Sequence, residues 1–134
     1  MKNIILILMV LLLVGCSNES QKSVALGDKM LQPTPYSQAF KQVGKKPMLL
    51  EFGSTTCASC IQMGKILYKI KEDHPQAEVY FIDIYADKEV MQNFKIQMIP
   101  TQVYVSDKGF EIDRHIGVIE YEDLILKLKA EKIL

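Results

Sequence analysis

Cys57 and Cys60, in the run Cys57-Ala58-Ser59-Cys60, are the residues of this 134-residue chain best suited to covalent chemistry. A Cys-x-x-Cys spacing serves a redox-active dithiol, a structural disulfide or half of a zinc site, so the spacing alone does not choose. Position narrows the choice. The pair falls where an apolar run, Met48 to Phe52, gives way to a helical stripe of Met63, Ile66, Leu67 and Ile70. At a helix N-terminus the free backbone N–H groups and the helix dipole stabilise a thiolate, so Cys57 is expected to have a lowered pKa and to act as nucleophile. Cys60, one turn further in, is placed to attack the mixed disulfide that Cys57 forms. Two rival readings use the same residues: a non-catalytic binding module held by a structural Cys57–Cys60 disulfide, and a metal site completed by His74 and His115. One histidine ends a helix, the other sits late in a hairpin, and there is no second cysteine pair, so no metal is assigned.

The elements around the pair follow from periodicity. Tyr36, Ala39, Phe40 and Val43 fall at helical spacing, and Gly44 and Pro47 stop that helix. Met48 to Phe52 reads as a strand buried on both faces, and the helix after Cys57 ends at His74-Pro75. Val79 to Ile84 is a second buried strand, and Val90, Met91 and Phe94 mark a short helix. Thr101 to Val105 is a third strand, joined through Ser106-Asp107-Lys108-Gly109 to a fourth on which Phe110, Ile112 and Ile116 share a face with Arg114. A last helix starts near Glu120, with Tyr121, Leu124, Ile125 and Leu128 on its apolar stripe. Parallel βαβ units followed by an antiparallel hairpin give an α/β fold, a mixed central sheet of about four strands with helices on both faces.

Sixteen basic and sixteen acidic side chains leave no net charge, which excludes a strongly basic nucleic-acid binder and an acidic, disordered chain. The third cysteine has a different setting. Met1-Lys2-Asn3 is followed by an unbroken apolar run from Ile4 to Val14, too short to span a bilayer and suited to a signal peptide. Leu13-Val14-Gly15-Cys16 resembles the bacterial lipobox, which implies removal of residues 1–15 and lipid on Cys16. The domain would then be anchored to a membrane and face the periplasm or cell exterior, where disulfides form. Ser17 after the lipidated cysteine resembles the outer-membrane sorting choice of bacteria with two membranes. Residues 16–35 are polar at first and end in Pro33-Thr34-Pro35, as a flexible tether would, although Val24 to Met30 could dock as an edge strand. The folded domain is expected over residues 36–134.

Over residues 36–134 the arrangement resembles thioredoxin-like proteins. The resemblance implies a thioredoxin fold, thiol–disulfide oxidoreductase activity, a Cys57–Cys60 redox disulfide, protein disulfides or thiols as substrates, no cofactor and a monomer. Ile99-Pro100-Thr101 is similar to the family's Ile-Pro-Thr segment, whose proline is cis and whose backbone meets the substrate. Glu51 stands six residues before Cys57, where the family has a buried Asp that handles the second cysteine's proton. Among Met48, Leu49, Leu50 and Phe52, desolvation would raise its pKa. Gly117, before the last helix, resembles the glycine turn that flanks the substrate groove. There are departures too: the chain has no tryptophan, Thr56 precedes the first cysteine, and Ala58-Ser59 replaces Gly-Pro. Without a histidine between the cysteines there is no obvious source for a strongly oxidising potential, which favours a reductase or isomerase recharged by a membrane electron donor.

Overall fold

In the computed structural model, which describes residues 24–134, the chain forms α1 (Tyr36–Phe40), β1 (Met48–Gly53), α2 (Ala58–Asp73), β2 (Val79–Asp83), α3 (Lys88–Asn93), β3 (Thr101–Val105), β4 (Glu111–Ile116) and α4 (Tyr121–Ala130). The expected signal peptide and lipidated Cys16 lie outside the described residues. Among the described residues no helix is long and apolar enough to cross a membrane.

The four strands form one sheet in the order β2-β1-β3-β4, with β1 parallel to β2 and antiparallel to β3. Only β1-α2-β2 is therefore a parallel unit, fewer than the periodicity implied. The connection through α3 stays at one end of the sheet. The chain does not return to the start of the sheet, so β3 begins at the end where β2 stopped, with Thr101 opposite Phe52.

Alternation along β1 divides the core. Met48, Leu50 and Phe52 face α1 and α3, where Ala39, Val90, Ile96, Val103 and Val105 close one layer. Leu49 faces the other side, packing with Phe81 and Tyr104 beneath Met63, Ile66, Leu67 and Ile70 of α2 and Leu124 and Leu128 of α4. The central strand is buried at every position. Burying each Leu, Ile or Phe contributes about 1.5–3 kcal/mol, so these two layers carry the fold.

Three features of the periphery stand out. The helix predicted to reach Val43 ends at Phe40, whose ring lies on the surface against Tyr36 with centroids 5.6 Å apart. Phe110, just before β4, and Ile112 and Ile116 on it are 69%, 46% and 50% exposed. The two short helices α1 and α3 cover β1, β2 and β3 and leave this edge strand uncovered. The largest change concerns the tether. Its part from Leu26 to Thr34 is docked on the domain, with Leu26, Met30 and Leu31 packed on the α2 layer. The Leu31 N–H donates to the Gly64 carbonyl at 2.8 Å, and the Thr34 N–H to the Phe81 carbonyl at 2.7 Å. Pro33 forms a parallel bridge with Phe81, which places this segment along the outer edge of β2.

Gly64 admits that segment, because a Cβ there would lie 2.8 Å from Met30 Cε and 3.1 Å from Met30 Cβ. Gly64→Val should therefore push the segment off and destabilise the protein by about 1–3 kcal/mol, as overpacking does. Limited proteolysis checks this: cleavage between residues 26 and 34 should accelerate, and unchanged protection would show that the segment is not held there.

Candidate active site

Cys57 is the N-cap of α2, and its Sγ accepts the Cys60 N–H at 3.4 Å. Ser59 Oγ lies 3.2 Å from the same sulfur. Both thiols are free; Cys57 is half-buried and Cys60 fully buried. Burial pushes the Cys57 thiol up, but hydrogen bonds from the Cys60 and Ser59 side chains and backbone outweigh it, and the net shift is downward. For Cys60 burial dominates. With the hydrogen bond it gives Cys57 and the negative charges of Cys57 and Glu51 adding to the push, its pKa rises to about 12. One cysteine is thus poised to attack, and the other keeps its proton until something takes it.

The loop before the pair is shaped locally. Ser54 Oγ accepts the Thr56 N–H at 3.2 Å and sits 3.0 Å from Thr56 Oγ1, a tight turn that delivers Cys57 to the helix start. Gly53 sets how close α2 comes to the sheet, since a Cβ there would lie 3.1 Å from both Cys60 Cβ and Phe81 Cζ.

Below the pair is Glu51, fully buried on β1 on the α2 side of the sheet. Burial pushes its carboxyl up against a lowering hydrogen bond from Gln102; the Cys57 charge adds to the rise, and the pKa is about 8. Gln102 Nε2 donates to Glu51 Oε2 at 2.8 Å and to the Gly117 carbonyl at 3.1 Å. Glu51 Oε1 has no protein partner among the described residues.

The remaining predicted residues gather at the same end of the sheet. The Ile99–Pro100 peptide is cis. Thr101 is buried opposite Phe52 on one side and Ile116 on the other, and its Oγ1 donates to the Met98 carbonyl at 2.7 Å. Gly117 has φ +101°, with open space where a Cβ would be, and its N–H donates to the Pro100 carbonyl at 2.9 Å. Ile99 packs against both core layers and Cys57 against one of them. His74 caps the far end of α2, and His115 lies on β4. Among the described residues no three His, Cys, Asp or Glu side chains are grouped to hold a metal ion.

Three residues outside the predicted site contribute to it. Ser59 touches the nucleophile, Gly53 lets Cys60 approach, and Gln102 holds the acid. The last two carried a signal: a glycine closing an apolar strand just before the cysteines, and a single amide inside the strand run Thr101 to Val105.

A mixed sheet with a helix start that stabilises a thiolate, a second thiol one turn in and a buried carboxyl beneath it has the parts that thiol–disulfide exchange needs. The thioredoxin family model matches residues 28–130, and the chain belongs to the thioredoxin family. It is 30% identical over 129 residues to the thiol:disulfide interchange protein TxlA of Synechococcus elongatus, covering 93% of this chain and 65% of that protein. The chain thus spans just under two thirds of that relative's length. It is 30% identical over 82 residues to a thioredoxin of Malassezia sympodialis, covering 58% of this chain and 77% of that one. Among solved structures, chloroplastic thioredoxin z superposes with a TM-score of 0.67 at 16% identity, covering 78% of this chain and 96% of that one. The Malassezia sympodialis thioredoxin superposes at 0.62 with 21% identity, over 83% and 97%. Both structures share the fold.

Two outcomes follow from the site's electrostatics. Ser59→Ala removes a hydrogen bond that lowers the Cys57 pKa, so alkylation of Cys57 at pH 6–7 should slow several-fold; an unaltered rate would mean that the hydroxyl does not act on the thiolate. Glu51, raised from 4.5 to about 8, keeps its proton in the folded state where the unfolded chain has lost it. Its contribution to stability is present below about pH 4.5 and is lost as pH rises through 8. The lowered Cys57 acts with the opposite sign and is present in both proteins of a comparison. Melting of the reduced protein against Glu51→Gln should show the wild type losing ground between pH 5 and 9; a constant difference would contradict the burial of an ionisable carboxyl.

Proposed function

We propose that the protein is a membrane-anchored thiol–disulfide oxidoreductase that reduces or isomerises disulfides of extracytoplasmic proteins. The observation that carries the reading is the asymmetric dithiol, an accessible low-pKa Cys57 beside a buried high-pKa Cys60, set over Glu51. The Cys57 thiolate attacks one sulfur of a substrate disulfide, forming a mixed disulfide and expelling the other sulfur as a thiolate that takes a proton from solvent. Cys60 then gives its proton to Glu51 and attacks Cys57 Sγ. The Cys57–Cys60 disulfide forms as the second substrate thiolate leaves. Two electrons pass from the protein to the substrate, and a dithiol donor in the membrane returns them.

Once Cys57 is in the mixed disulfide its negative charge is gone, which removes one of the influences holding the Glu51 pKa up. The carboxylate is then better populated at the moment the Cys60 proton must leave. The substrate backbone docks at Ile99, Pro100 and Thr101 with the Gly117 turn alongside, and the open space at Gly117 leaves room for it. Support for the reducing direction comes from the pair of residues between the cysteines, which offers Cys57 a hydroxyl and no cation. Support for anchoring comes from Leu13-Val14-Gly15-Cys16 after an apolar run, a pattern that suits a bacterial envelope, at the outer membrane where there are two. The name of the Synechococcus relative, thiol:disulfide interchange protein, agrees with the chemistry.

Cys60→Ser tests substrate and chemistry together. In cells it should accumulate mixed disulfides on Cys57 that dissolve in reductant and are missing from the Cys57→Ser, Cys60→Ser double variant. The wild type should reduce insulin while Cys57→Ser does not. An inert pair that is neither alkylated nor turned over would establish a structural disulfide instead. Intact mass gives the anchor: acyl groups on Cys16 are expected, and an unmodified mature chain would overturn that part.

A further inference from the structure

Glu51, Gln102 and His115 lie in one cross-strand row, opposite one another on β1, β3 and β4 and all on the α2 side of the sheet. The middle member has both amide hydrogens committed, one to Glu51 Oε2 and one to the Gly117 carbonyl. Those two partners are acceptors only, when Glu51 is ionised, so turning the amide over would set its oxygen against two oxygens. The carbonyl of the Gly117 turn therefore fixes which end of Gln102 faces the carboxylate. Gln102 is itself fully buried, so water does not compete for that position. Glu51 Oε2 is occupied by this bond, which leaves Oε1, without a protein partner among the described residues, as the oxygen free to take a proton.

We propose that Gln102 is a positioning residue for resolution: anchored on the Gly117 carbonyl, its amide holds the Glu51 carboxylate in place to receive the Cys60 proton. This rests on the reading of Glu51 as the proton acceptor. The amide acts on one step of the reaction, since Cys57 ionises through its own helix and Ser59 while only Cys60 needs the carboxylate. The direction of its effect agrees, because a donated hydrogen bond favours the charged form of Glu51. The other titratable groups on this face are Cys57 and Cys60 on the α2 side, Tyr104 and His115 on the sheet, Asp113 opposite Tyr104 on β4, Asp83 at the end of β2, which accepts the Tyr85 N–H, and Lys127 of α4, which pairs with Asp113 and Glu131 and whose ammonium lies 5.2 Å from the Tyr104 ring centroid. Among the described residues none of these donates a hydrogen bond to Glu51; Gln102 is the side chain that does.

The test follows single-turnover reduction of a disulfide substrate by the full protein, separating attack by Cys57 from resolution by Cys60, across pH 6–10. Gln102→Met keeps the side-chain length and removes the amide. Resolution at pH 7 should slow about tenfold, the size expected for losing a hydrogen bond to a charged group. The pH midpoint of that step should move upward while the attack step keeps its midpoint. An unmoved midpoint in folded Gln102→Met, with Glu51→Gln slow in the same step, overturns the role of Gln102 and leaves Glu51 standing. If Glu51→Gln itself resolves at the wild-type rate, both fail. Should Gln102→Met not fold, the wild type still answers: the NMR resonances of the Gln102 side-chain amide should titrate with the Glu51 carboxyl in the oxidised protein. Amide signals that ignore that titration would overturn the proposal.

Discussion

The site depends on how near the start of α2 comes to the middle of the sheet. At Gly53 the two surfaces are closer than a methyl group would allow without a shift, with Cys60 Cβ and the Phe81 ring both 3.1 Å from where that group would stand. This contact removes Cys60 from solvent and sets it above Glu51, while the half-buried Cys57 stays at the rim. The difference between the two thiols is therefore one of depth before it is one of chemistry. Desolvation is the largest influence on both, and hydrogen bonds reverse it only at the shallower one.

A carboxyl and a carboxamide in the middle of a sheet are costly. Each buried polar group loses water and must recover hydrogen bonds from protein. Gln102 recovers two through Nε2, but its oxygen and Glu51 Oε1 recover none among the described residues. The surrounding layer offsets the cost with Leu49, Phe81, Met63, Ile66 and Leu67, all at or near zero exposure. Much of the strength of this layer serves to keep a poorly solvated acid in place. A protein selected for stability alone would put an aliphatic side chain at residue 51.

Most of the elements are legible in the sequence because their signals are local. Continuous apolar runs give β1 and β2, the stripe from Met63 to Ile70 gives α2, and the cysteines fall at its cap because a strand ends just before them. Glu51 can be found because it is the one charge inside MLLEF. What escapes detection is set by partners distant in sequence. The bond from Gln102 to Glu51 joins residues fifty-one apart, and the closeness permitted by Gly53 exists only once α2 has packed. The exposure of the apolar residues of β4 is likewise not written in their pattern. Alternation reports that a strand has two kinds of face, while the reach of α1 and α3 decides whether the apolar one is covered.

The docked segment at the N-terminal side has a geometric consequence for the helix beneath it. Met30 and Leu31 meet α2 at Gly64, Asp28 pairs with Lys65 at 3.7 Å, and the Lys29 ammonium lies 6.0 Å from the centre of the Tyr68 ring. The incoming chain thus crosses the helix that carries the dithiol. Seven residues separate Gly64 from Cys57, a distance of about 10 Å along the helix axis. The reactive sulfur and the seat of this segment share one helix, so the segment braces, near its middle, the rod whose start holds the thiolate.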